Sequence, residues 1–183
     1  MADSLNGIPR VDPTSKPTVM RRAVGLLFGT KAGSTIHRSL FAPLDLQLMR
    51  MTRGRFHTAK GSLPVVMLRT TGAKSGARRE VTLAYFTDGD DVILIASNYG
   101  QEKHPNWYYN LLQHPRCELF ADGRTDSGGS FVARPTDGAD HDRLYALMEG
   151  FSTNFTKYAT NTDGIRAIPV LRLTPEGADH PIG

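Results

Sequence analysis

The sequence predicts an antiparallel β-barrel of the α+β class, and three observations predict it. Between residues 65 and 173 the chain holds about six short segments that are β-branched or alternate apolar with polar residues. Most are joined by turns short enough for hairpins. Helical patterns fall beside these runs and do not alternate with them, so the βαβ rhythm of a doubly wound parallel sheet is missing. A chain of 183 residues, 39% hydrophobic and 22% charged, is one domain able to bury a core.

The elements follow in order. Residues 1–18 carry Pro9, Pro13 and Pro17 among polar residues and read as a flexible, loosely attached arm. Residues 19–60 read as an amphipathic basic helical segment: Ile36, Leu40, Leu44, Leu48 and Met51 recur at near-helical spacing, with Arg38, Arg50 and Arg53 on the remaining surface. Such a stripe suits a helix laid over a core or against a membrane surface. Val65–Thr70 is the first strand. Arg79–Thr87 is the second, with Val81, Leu83 and Tyr85 on one side. Asp88-Gly89-Asp90 is a hairpin turn, because Asp-Gly supplies the positive φ such loops require. Val92–Ser97 is nearly all apolar and should be central and buried on both faces. Pro105–Gln113 fits a short helix with proline in its first turn. Cys117–Ala121 and Ser130–Arg134 are further strands around a glycine-rich connection, Asp140–Met148 is helical, and Val170–Leu173 is the last strand.

Charge divides the chain more sharply than its total of +4 suggests. Residues 1–80 hold 14 Lys/Arg against four Asp/Glu, whereas residues 81–183 hold 8 against 14. A basic half attracts phosphates, polyanionic tails, nucleic acid or anionic lipid heads; a solvated helix face is the plain alternative. The single cysteine, Cys117, cannot form an internal disulfide and reads as a buried core thiol. No run approaches the roughly 18 apolar residues of a spanning helix, and residues 1–12 lack an apolar signal core, so the expected location is cytoplasmic.

The segment richest in chemistry is the turn Thr70-Thr71-Gly72-Ala73-Lys74-Ser75-Gly76-Ala77-Arg78-Arg79. It sets three cations and several hydroxyls beside two glycines, where backbone N–H groups can point outward. That is the composition of an anion cradle. A nucleotide P-loop is excluded, because such a loop needs glycine directly before the lysine and a helix after it; here Ala73 intervenes and a strand follows. Taken alone, the turn reads more readily as an exposed basic hairpin loop.

It does not stand alone. Together with Ala96-Ser97-Asn98-Tyr99-Gly100 and Lys103-His104-Pro105-Asn106-Trp107-Tyr108-Tyr109-Asn110-Leu111, the turn resembles the deazaflavin-dependent nitroreductase and quinone reductase family. The resemblance runs in register from Thr70 to Pro115. Weaker echoes occur at Phe151, Phe155 and Tyr158, at Thr162-Asp163, and at Ile168-Pro169-Val170. It implies a split β-barrel, FMN-binding-like, over residues 61–183, that uses reduced coenzyme F-420. It also implies roles by position. Lys74, Ser75, Gly76, Arg78 and Arg79 hold the coenzyme's phosphate and carboxylate-rich tail; Val81, Thr82 and Leu83 lie along the deazaflavin ring. Ala96, Ser97 and Asn98 form the ring's second side, and Asn106 and Trp107 close the site. Two departures stand out. Ala73 and Asn98 occupy positions that are often Arg and Lys in the family, which leaves this cradle less positive.

Hydride transfer leaves negative charge on a quinone, nitro or enone oxygen, so a hydroxyl donor nearby stabilises the transition state. Ser97 and Tyr158 are the candidate catalytic residues, with Tyr158 the one tyrosine among the three lid positions 151, 155 and 158. A lone Trp at a helix start is ordinarily core packing, and that reading stands beside the cofactor role for Trp107. The histidines at 37, 57, 104, 114, 141 and 180 show no metal-ligand spacing, so no metal is expected, and no GxSxG elbow appears. The expected acceptors are quinones, nitroaromatics or activated enones. Peripheral contact of the basic segment with the anionic inner face of the cell membrane, and a homodimer, are also expected. FMN in the same cradle, or a cofactor- or anion-binding protein without turnover, are the alternatives. Nucleic acid is not expected, since the arginine cluster lacks interleaved aromatics.

Overall fold

A computed structural model describes residues 4–15, 63–121 and 127–177. The helical segment expected at 19–60 lies outside the described residues, as do residues 1–3 and 16–18 of the expected arm.

Six strands close an antiparallel barrel: β3 (Val65–Thr71), β4 (Arg78–Asp88), β5 (Asp91–Ile95), β6 (Arg116–Phe120), β7 (Gly128–Pro135) and β8 (Val170–Pro175), in the spatial order β3-β4-β5-β8-β7-β6. Two residues, Gly89 and Asp90, close the β4–β5 hairpin, with Gly89 at φ +59. Alternation sorts the side chains. Val66, Leu68, Tyr85, Val92, Leu94, Phe131, Leu171 and Leu173 fill the interior. Phe86, Ile93, Ile95 and Val170 point outward, under helices α2 (Gly138–Phe151) and α3 (Asn154–Thr162), which add Leu144, Met148, Phe151, Phe155 and Tyr158. β5 is thus buried on both faces, as its unbroken apolar run requires.

The two ends of the barrel are stoppered differently. Helix α1 (Asn106–Gln113) sends Trp107 and Leu111 into the interior cluster at the end where β3 turns into β4. The other end takes the N-terminal residues, and this corrects the expected loose arm. Strands β1 (Ser4–Leu5) and β2 (Ile8–Pro9) form a tight hairpin whose Leu5 and Ile8 join the core. Its turn is Asn6-Gly7, with φ +44 and +82, a sequence that favours paired left-handed residues. The Tyr85 hydroxyl donates to Pro9 O (3.1 Å), and Thr87 and Val11 exchange backbone and hydroxyl hydrogen bonds. Burial pushes the Tyr85 phenol up to about 12. Pro9, which suggested disorder, is simply an exposed residue on a short edge.

One polar network ties α2 to the sheet. Arg172 on β8 donates to Asp140, Asp88 and Asp91 at 2.7–3.1 Å, and Arg143 adds a fork onto Asp88. Hydrogen bonds from Arg172, then Arg143, hold the Asp140 carboxyl at about 2; those from Arg143, then Arg172, lower Asp88 as well. Both folded pKa values lie below the unfolded one, so the contribution is complete above about pH 4 and is lost as pH falls toward 2. Asp140 is 40% exposed, and solvent screens part of the effect. Arg172→Met is therefore expected to cost roughly 1–2 kcal/mol at neutral pH. In thermal melts the gap from wild type should narrow between pH 4 and pH 2. A gap that stays constant over that range would show that the network does not stabilise the fold through these carboxylates.

Candidate active site at the barrel split

β4 is longer than its neighbour. Residues 78–84 pair with β3, whereas β5 joins β4 only at Tyr85–Asp88. Beyond Ile95 the chain leaves β4 and stays with the β8 side, where the Ala96 amide donates to Pro169 O (2.8 Å). The barrel is therefore split at one end, between the start of β4 and the residues after β5. The anion-cradle turn and Ser97 both lie at that end. Val81 and Leu83 pack against the interior cluster that includes Ala96 and Trp107, so both walls of the split share one hydrophobic floor.

The turn is held from within and from α1. The Gly72 amide donates to Ala77 O and the Gly76 amide to Gly72 O, both at 2.8 Å. The glycine amides expected to point outward are thus consumed in closing the turn. Among the described residues it is the amides of Lys74 and Ser75 that make no hydrogen bond. Gly72 has no room for a side chain, since a Cβ would lie 2.8 Å from Ser75 Oγ and 3.1 Å from Ala77 O. Ser75 Oγ itself accepts from the Ala77 amide (3.3 Å). Buried Asn110 accepts from the Ala73 amide (2.9 Å) and donates to Thr70 Oγ1 (3.0 Å), pinning the turn to α1. Lys74, Ser75, Arg78 and Arg79 are exposed, and the three cations form no ion pair among the described residues. Register separates the arginines: Arg79 lies opposite Thr70 and shares its sheet face with Val81 and Leu83, while Arg78 lies on the other face with Glu80 and Thr82.

Across the split, Ser97 is 9% exposed and begins a left-handed turn: Asn98, Tyr99 and Gly100 have φ +47, +56 and +70. Holding two non-glycine residues there costs on the order of 1–2 kcal/mol each. The Gly100 amide closes onto Ser97 O (2.9 Å), and Asn98 Nδ2 donates to Lys103 O (2.8 Å). Gly100 presses on α3, where a Cβ would stand 3.0 Å from Tyr158 Cα. That contact brings the Ser97 turn and Tyr158 together. Tyr158 is 8% exposed, packed edge-on against Tyr99 and Phe155 (centroids 6.2 and 5.5 Å). Burial, reinforced by Tyr99 and Tyr145, raises its pKa well above the ordinary tyrosine value. Among the described residues neither the Ser97 nor the Tyr158 hydroxyl has a hydrogen-bond partner. Asn106 is exposed at the helix start, and Trp107, 7% exposed, belongs to the interior cluster beneath the split.

Three residues with structural duties at this end carried no role in the sequence reading: Asn110, His104 and Arg166. Asn110 had a signal, since Trp107, Asn110 and Leu111 fall on one helix face at i, i+3 and i+4. Arg166 had none, because its partners are backbone carbonyls from distant segments. A separate open groove of about 520 Å³, lined by His141, Tyr145, Thr162, Asp163 and Ile165, shares Arg166 with this constellation but neither Ser97 nor Tyr158. No cluster of His, Cys, Asp or Glu suited to a metal occurs among the described residues.

The fold is a split β-barrel with a basic turn on one side of the split and the Ser97 turn on the other, an arrangement suited to a long anionic cofactor. A profile of the F420H(2)-dependent quinone reductase family matches residues 44–175, and the chain belongs to that family. It is 33% identical over 148 residues to an F420H(2)-dependent quinone reductase of Mycobacterium tuberculosis, covering 76% of this chain and 97% of that protein. Among solved structures, an F420-H2 dependent reductase (FDR-A) matches with 30% identity and a TM-score of 0.51, over 60% of this chain and 93% of the other. Another, described as a domain-swapped dimer, matches with 32% identity and a TM-score of 0.54, over 72% and 99%.

Proposed function

We propose that this oxidoreductase transfers a hydride from reduced coenzyme F-420 to a quinone, and that nitroaromatics and activated enones serve as further acceptors. The observation that supports this reading is the approach of the Ser97 turn to the α3 backbone at Tyr158, through Gly100, with neither the Ser97 nor the Tyr158 hydroxyl hydrogen-bonded among the described residues. When bound, the coenzyme supplies the two-electron hydride chemistry. Lys74, Ser75 and Arg79 hold its anionic tail, with Arg78 adding longer-range charge and Gly76 closing the turn. Val81, Thr82 and Leu83 flank one side of the ring; Ala96, Ser97 and Asn98 flank the other, and Asn106 and Trp107 form the wall at the helix start. Tyr158 keeps its proton throughout the neutral range, because burial disfavours the phenolate. It is therefore available as a donor to the acceptor oxygen on which negative charge builds.

Ser97→Ala and Tyr158→Phe test this directly. Each is expected to slow single-turnover oxidation of the bound coenzyme by menadione about 10–100-fold, with little change in coenzyme affinity. Unchanged rates in both variants would remove these hydroxyls from the chemistry.

The remaining parts of the proposal concern location and assembly. The reading includes a cytoplasmic setting; no helix among the described residues is long and apolar enough to cross a membrane. The excess of Lys/Arg in residues 1–80 supports peripheral contact with anionic lipid, which would bring a lipid-soluble quinone within reach. The protein should co-sediment with vesicles of anionic lipid and not with neutral ones; failure to bind both would refute the contact. A homodimer belongs to the same proposal and is checked by light scattering.

A further inference from the structure

The left-handed turn that carries Ser97 is held from one side by a single side chain. Arg166, in the segment between α3 and β8, donates from Nη2 to Ser97 O (2.7 Å), from Nε to Gln101 O (2.8 Å) and from Nη1 to Ala96 O (3.4 Å). Ser97 and Gln101 bracket the three left-handed residues, so the guanidinium grips the turn at both ends. The same Nη1 reaches Ala167 O (3.2 Å) and His104 Nδ1 (3.1 Å). No carboxylate pairs with Arg166 among the described residues; backbone oxygens and an imidazole satisfy the cation.

That last contact fixes a proton. A guanidinium can only donate, so Nδ1 of His104 must be the acceptor, and the ring hydrogen sits on Nε2. We infer that Arg166 is the positioning residue of this site: it clamps the turn bearing Ser97 and holds His104 neutral as its Nε2–H tautomer. The inference builds on the proposed function where it concerns catalysis, but the tautomer belongs to the protein alone. Burial and the adjacent Arg166 charge both lower the His104 pKa, in agreement with the geometry. The other groups around the ring are Tyr108 and Tyr109 of α1 (centroids 5.1 and 5.9 Å), with Glu102 and Lys103 on its own loop. Tyr109 and Tyr145 of α2 also lie near Arg166. Through one side chain, then, the loop after β5 and the entry to α1 are set relative to each other.

The test begins on the cofactor-free protein. With histidine ring nitrogens labelled, nuclear magnetic resonance should show wild-type His104 as the Nε2–H tautomer, resisting protonation at mildly acidic pH. In Arg166→Gln its titration should move up toward the ordinary histidine range. In turnover, Arg166→Gln is expected to lose about 10–100-fold in kcat, since small displacements of a catalytic group cost that much. It should also gain an acid-side limb in its pH profile that disappears in the Arg166→Gln/His104→Asn double variant. Arg166→Lys keeps the charge but not the planar fork. It should leave His104 neutral while kcat stays depressed, and it carries the test if Arg166→Gln does not fold. An Nδ1–H tautomer in the wild type, or a wild-type kcat in Arg166→Lys, would overturn the inference. A chain inactive with coenzyme F-420 but showing the stated tautomer and shift would instead sink the proposed function and leave the clamp standing.

Discussion

The double variant Lys74→Ala/Arg79→Ala is expected to bind reduced coenzyme F-420 about 100-fold more weakly than wild type, read by coenzyme fluorescence on titration. Both side chains are exposed, lie at the mouth of the split, and form no ion pair among the described residues. No carboxylate among the described residues therefore neutralises them. A hydrogen bond to a charged group contributes roughly 1.5–3 kcal/mol, and solvent exposure argues for the lower end of that range. Two such bonds give about two orders of magnitude. The loss should shrink as salt rises, because exposed charges are screened within about 10 Å at 0.1 M ionic strength. Arg78→Ala makes the internal comparison. Its side chain lies on the opposite sheet face from Arg79, so its loss should be the smaller. Melting temperatures should not change in either variant, since these side chains are exposed and form no ion pair among the described residues. Equal affinity in the double variant would remove the turn from cofactor binding. Titration with FMN separates the alternatives: binding of FMN with no binding of the deazaflavin would overturn the cofactor assignment.

Much of this site could be read from the chain because its signals are local. The strand containing Val65–Thr70, the Asp88-Gly89-Asp90 turn and the apolar run from Val92 owe their structure to alternation and turn chemistry, which neighbouring residues specify. Other features were written locally but outweighed. Asn6-Gly7 between Leu5 and Ile8 is a strong hairpin signal, yet three prolines within eighteen residues argued for a loose arm. α3 offers the opposite case. Asn154–Thr162 is rich in Asn and Thr and has little intrinsic helicity. It is helical because Phe155, Tyr158 and Thr162 find a surface to cover. Arg166 and the outward amides of the cradle were not legible at all. Which carbonyl a guanidinium meets, and which amide a turn consumes, depend on contacts that spacing in the sequence does not encode.

The glycines of the connection into β7 carry the largest expected effect on stability. Gly128 pairs with Phe120 on β6, and a Cβ there would overlap the Leu119 carbonyl oxygen outright, with Leu119 C at 2.7 Å and Phe120 Cα at 2.9 Å. These are all backbone atoms, so no rotamer change relieves the clash; the β6–β7 ladder itself must move. On its other side Gly128 seats the N-terminal turn, since a Cβ on Gly7 would stand 3.1 Å from Gly128 Cα. Gly128→Ala thus strains the ladder and unseats the hairpin that delivers Leu5 and Ile8 to the core. A cost of more than about 3 kcal/mol is expected, which for a chain of this size lowers Tm by roughly 6–12 °C. The neighbouring glycine separates the two causes. A Cβ on Gly129 would meet the Asn6 side chain first, at 2.8 Å from its Cβ. Gly129→Ala should therefore displace chiefly the hairpin, whose Asn6 Nδ2 donates to Ser130 O (3.0 Å) and Glu176 O (3.3 Å). Its cost should be nearer 1 kcal/mol, with the loss of amide protection confined to residues 4–11. If Gly128→Ala melts within a degree or two of wild type, the close approach of β7 to Leu119 is not what sets this end of the barrel. If Gly129→Ala is the more damaging, the N-terminal hairpin contributes more to barrel closure than the ladder beneath it.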